Sequence, residues 1–78
     1  MKMPVINMAD TCNKIKSECQ EKGYTAKDLQ QLFGFDSPQA CYKWLQGKSL
    51  PSIDNLIILS RWLGIGLEEL IVTDDMEL

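Results

Sequence analysis

Gln39, Tyr42 and Lys43 are the side chains of this sequence best suited to chemistry, and their chemistry is recognition rather than catalysis. An amide can pair bidentately with adenine, an ammonium can donate to guanine, and a phenol both donates and accepts. All three lie on the polar side of a short amphipathic segment whose other side is Cys41, Trp44 and Leu45. Lys27, Gln46, Lys48 and Ser52 lie close enough to that segment to reach backbone phosphates. Other chemistry is scarce. The chain has no histidine, and Cys12, Cys19 and Cys41 are odd in number with no C-x-x-C. Neither a disulfide framework nor a zinc site is expected, and the thiols read as buried packing groups. Nucleophile–base pairs, a glycine-rich phosphate loop and convergent carboxylates are missing too, so we expect no enzyme, no cofactor and no metal.

The elements that must position these side chains are legible from periodicity and punctuation. Thr25 is a good N-cap, and Leu29, Leu32 and Phe33 follow at the spacing of one buried stripe. Gly34 ends that helix, and Ser37-Pro38 opens another, with proline expected at the first helical position, where its missing N–H costs nothing. Two short amphipathic helices meeting at a glycine, the second showing amides and a lysine, are the plan of a helix-turn-helix whose second helix enters a major groove. Before them a helix is expected from about Asp10 to Lys22, with Met8, Cys12, Ile15 and Cys19 along one face and Gly23 as its stop. After them comes a helix capped by Ser52, turning Ile53, Leu56, Leu59, Ser60 and Leu63 inward and ending at Gly64. A short fifth helix near Leu67 to Val72 presents Leu67, Leu70 and Ile71. The expected fold is all-α: a compact five-helix domain over residues 9–72, a short N-terminal arm over 1–8 whose extended-looking run Pro4-Val5-Ile6-Asn7 reads as an arm or an edge strand, and an acidic, frayed C-terminal tail over 73–78.

With 78 residues the chain makes one domain, of a size that buries only about 60% of its unfolded surface. No stretch approaches a membrane span or a signal peptide, so a cytoplasmic protein is expected. The net charge of −3 argues against a nucleic-acid partner until the charges are located. Lys22, Lys27, Lys43 and Lys48 against Asp28 and Asp36 give +2 from Lys22 to Pro51. Beyond Pro51 only Arg61 opposes Asp54, Glu68, Glu69, Asp74, Asp75 and Glu77, giving −5, while the segment ahead of Lys22 balances. The acid belongs to the tail, so steering toward DNA should be weak and affinity strongly salt-dependent.

In order, Thr25-x-x-x-Leu29, Gly34, Trp44-x-x-Gly47-x-x-x-Pro51-Ser52, Leu56-x-x-Leu59-x-x-x-Leu63-Gly64 and Glu68-x-Leu70 resemble the lambda-repressor/Cro-like helix-turn-helix family, often called XRE-type. The likeness runs from about Ile15 to Val72. It implies five helices, cytoplasmic binding to double-stranded DNA as a dimer, and no cofactor. The sequence also departs from the family pattern. One extra residue between Gly34 and Trp44 enlarges the turn around Phe35-Asp36. Where relatives often place glutamines that touch phosphate and base, this chain has Ala26 and Pro38. The arginine–glutamate pair that joins the first and third helices in many relatives falls on Cys19 and Leu45, a matched loss of both charges that preserves the fold and predicts side-chain contact.

On a helical wheel centred on Leu56, Ile58 and Trp62 fall on the side turned away from the core. With Leu67 and Ile71 they are the expected two-fold dimer contact, unless the arm from Met3 to Met8 folds over them. Such a dimer would set two recognition helices about 34 Å apart on a pseudo-palindromic operator. The sequence therefore predicts a sequence-specific transcriptional regulator, in particular a dimeric repressor. A second reading is a helix-turn-helix scaffold acting through a regulatory protein partner, antitoxin-like, with a weakened DNA face.

Overall fold

Side-chain caps and a left-handed turn set the helix boundaries of this protein, whose computed structural model describes residues 1–77. The order is β1 (Lys2–Ile6), α1 (Met8–Lys22), α2 (Ala26–Phe33), α3 (Gln39–Leu45), α4 (Ile53–Leu63), α5 (Leu67–Leu70) and β2 (Thr73–Glu77). Asn7 caps α1, its side chain accepting from the Asp10 N–H at 2.9 Å. α2 opens with a reciprocal capping box: the Asp28 N–H donates to Thr25 Oγ1 at 3.3 Å and the Thr25 N–H to Asp28 Oδ2 at 2.8 Å. Ser52 caps α4 through the Asn55 N–H. Gly34 ends α2 at φ 68°, a conformation that a side chain would strain.

One core joins all five helices. Ile15 and Cys19 of α1, Leu29 of α2, Cys41 and Trp44 of α3, Leu56, Leu59 and Leu63 of α4, and Leu70 of α5 are buried together. The expected stripes hold in their middles and fail at their ends. Met8, Leu32 and Ile53 are exposed, because each stands at an end or edge of its helix, past the reach of the shared core. α1 starts two residues earlier than expected, at its Asn7 cap. Pro38 is the N-cap of α3 rather than its first residue, and no side chain caps that helix. α5 stops at Leu70, since Ile71 is already extended and leads into β2.

The fold is not strictly all-α. β1 and β2 form an antiparallel two-stranded ribbon in the register Lys2↔Glu77, Met3↔Met76, Pro4↔Asp75, Val5↔Asp74 and Ile6↔Thr73. The expected arm or edge strand and the tail expected to fray are thus each other's partners over these residues; Leu78, the end of that tail, lies outside the described residues. The physical cause sits at the ribbon's base. The Asn7 N–H donates to the Val72 carbonyl at 2.8 Å, and buried Thr11 accepts from the Val72 N–H at 2.9 Å while its hydroxyl donates to the same residue's carbonyl at 3.2 Å. The Asn7 amide also reaches Asp74 at 2.9 Å. Among the described residues no helix is long and apolar enough to cross a membrane.

Candidate nucleic-acid interface

α3 is fixed from behind by aromatic packing. Trp44, 4% exposed, meets Phe33 edge-on at 5.4 Å and Phe35 at 5.9 Å, and those two phenyl rings stack at 5.3 Å. Phe33 ends α2 and Phe35 sits in the connecting turn, so three rings set the angle between α2 and α3. Gln30 completes the clamp, its Nε2 donating to the Phe35 carbonyl at 3.2 Å and its backbone carbonyl accepting from the Phe35 N–H. The turn is a packed structure. Sequence reasoning expected it to be enlarged but missed Phe35 and Gln30 as its supports; a phenylalanine beside a turn glycine was the available signal.

With Cys41 and Trp44 buried, the opposite side of α3 faces water. Gln39, Tyr42, Lys43 and Gln46 are all exposed there. Among the described residues their side chains form no hydrogen bond or salt bridge. Lys27 is exposed in the first turn of α2, and Lys48 is exposed just after α3. Ser52 is exposed at the start of α4, where its oxygen accepts the capping bond and its O–H is left to donate. Lysines engaged in salt bridges among the described residues are Lys14 and Lys22, both on Glu18, so Lys27, Lys43 and Lys48 keep uncompensated charge. Asp36 in the turn and Asp28 at the start of α2 oppose it. Ala26 is buried and Pro38 half-buried, so the two positions that lack glutamine present no polar group.

Away from this face, Cys19 is buried and Leu45 half-buried against the same core. Burial first, and Glu18 second, push the Cys19 thiol up to about 11; burial raises Cys12 and Cys41 as well. These are packing thiols, poor in the reactive thiolate. Of the expected dimer residues, Ile58 is exposed, whereas Trp62 is half-buried and stacked on Tyr24 at 4.0 Å. Leu67 and Ile71 pack half-buried against the core and, with Pro4, Glu68 and Thr73, line an open hollow beside the ribbon. The arm is strand-paired with β2, and Trp62 stacks on Tyr24 while packing against the core.

A buried-backed helix held across a packed turn, showing amides and a lysine outward, defines a DNA-binding helix-turn-helix regulator. A helix-turn-helix family model matches residues 15–70, most of the chain and all of its five-helix core except the start of α1. The chain belongs to this family, the XRE-type, lambda-repressor/Cro-like helix-turn-helix proteins. Comparison with curated proteins and with solved structures gave no match.

Proposed function

We propose that this protein is a cytoplasmic transcriptional repressor that occupies a pseudo-palindromic operator as a homodimer. Gln39, Tyr42 and Lys43 read base edges in the major groove, while Lys27, Gln46, Lys48 and Ser52 hold the phosphate backbone. The observation that carries this reading is the outward face of α3: its polar side chains are exposed and unengaged among the described residues, on a helix whose position three aromatic rings fix. Side chains without partners in the free protein lose no internal bonds when they turn to DNA. A scaffold acting through a protein partner is the second reading, favoured by buried Ala26 and half-buried Pro38 at positions where polar contacts are common among relatives.

Selection from randomised duplexes, followed by titration of Gln39→Ala, Lys43→Ala and Lys48→Ala, tests the assignment. The first two should relax sequence preference by about 1–3 kcal/mol per lost base contact, and Lys48→Ala should weaken selected and random duplexes alike. Equal losses on both duplexes for all three variants would remove Gln39 and Lys43 from base readout, and failure to enrich any sequence would favour the second reading.

A further inference from the structure

The outer face of α4 carries a pattern that matches itself. Leu56, Leu59, Ser60 and Leu63 are buried, and together they occupy one sector of the helical wheel. Across the helix from that sector stand Asp54, Ile57, Ile58 and Arg61, all exposed. Their spacing is i, i+3, i+4, i+7, one straight stripe along the helix. Ile57 is 38% and Ile58 41% exposed, and neighbouring Ile53 is 60% exposed, so a domain short of core leaves three isoleucines of one helix in water. An acid stands before the central pair and a base after it.

We propose that this face is where two copies of the chain meet, α4 against α4 in antiparallel about a two-fold axis between Ile57 and Ile58. The proposal rests on the reading of the protein as a dimer and assigns its surface. A two-fold contact is isologous, so each residue must suit the one that the axis sets against it. An axis at that midpoint gathers Ile57 and Ile58 of both copies at the centre and sets Asp54 against Arg61 at each end. Parallel alignment would set Asp54 on Asp54 and Arg61 on Arg61, so the charges select the antiparallel one. Exposed end pairs fix register and partner more than they add affinity, while the isoleucines supply the apolar burial. Ile58 stays in the contact; Trp62, stacked on Tyr24, and Leu67 and Ile71, half-buried in their own domain, lie outside it.

Sedimentation equilibrium of the full chain tests this with charge reversals, folding being checked by far-ultraviolet circular dichroism. The wild type should be dimeric, and Asp54→Arg and Arg61→Asp should each weaken dimerisation about tenfold or more through like charges at both ends. An equimolar mixture of the two variants should associate again, because every end of the heterodimer then pairs Arg with Asp. Ile57→Lys should abolish association in any mixture. A dimeric wild type indifferent to all three substitutions overturns the assigned surface while leaving the dimer reading intact. A wild type that stays monomeric, free and on a full operator, overturns both; restoration in the mixture alone has no explanation in a general loss of folding.

Discussion

At the scale of single residues, Thr11 contributes most beyond what its type suggests. It is fully buried, and its one hydroxyl serves both backbone groups of Val72, a residue 61 positions away. Thr11→Val keeps the shape and removes that service. The Val72 carbonyl still has the Asn7 N–H, but the Val72 N–H loses its partner, so urea denaturation should show a loss of about 1–3 kcal/mol. Unchanged stability would mean that water replaces the hydroxyl without penalty. Nothing local marks Thr11 in the sequence, because its partner lies at the other end of the chain. Trp44 was legible, by contrast: its place in the Cys41–Trp44–Leu45 stripe already required burial. Gln39 and Lys43 were legible only as exposed; exposure follows from periodicity, whereas base contact depends on a ligand.

Elements divide the same way. α4 could be read closely because a cap at Ser52, an inward leucine stripe and Gly64 act within one segment. The ribbon could not, beyond an arm or edge strand at Pro4-Val5-Ile6-Asn7. Every residue of β1 and β2 is exposed, so no alternation of buried and solvated positions marks either strand, and an isolated two-stranded ribbon is marginal without a clamp. Its existence depends on Thr11 and Asn7 holding Val72 and Asp74 at the base. The turn between α2 and α3 is the element on which function depends most, and Phe35 is its support. Phe35→Ala removes two ring contacts of a half-buried side chain and should destabilise the domain by about 1–3 kcal/mol, below the range for a fully buried phenylalanine. If the rings position α3, operator affinity should fall further than it does in Thr11→Val, whose stability loss is similar but lies away from the turn. Equal affinities in the two variants would show that the turn stabilises the domain without aiming the helix.

For the molecule as a whole, the question is how a protein of net charge −3 approaches a polyanion. Its dimensions, 42 × 23 × 20 Å, are several times the Debye length of about 8 Å at physiological ionic strength. Acids on the exposed ribbon therefore act on a distant phosphate chiefly when salt is low, while Lys27, Lys43 and Lys48 act at contact. Two consequences can be separated by one titration. Equilibrium affinity should fall with salt at about −0.9 in the log–log slope for each phosphate neutralised, whatever the ribbon carries. The association rate should respond to the ribbon. Asp75→Asn combined with Glu77→Gln leaves the Asp74 bond to Asn7 intact and brings the net charge from −3 to −1. At low ionic strength that variant should associate faster by about two- to tenfold, a modest share of what electrostatic steering achieves, and the gain should vanish as salt is raised. Stopped-flow measurements at several salt concentrations decide it: a gain that persists at high salt places those carboxylates at the DNA contact, and a flat equilibrium slope for the wild type removes phosphate contact from the proposed interface.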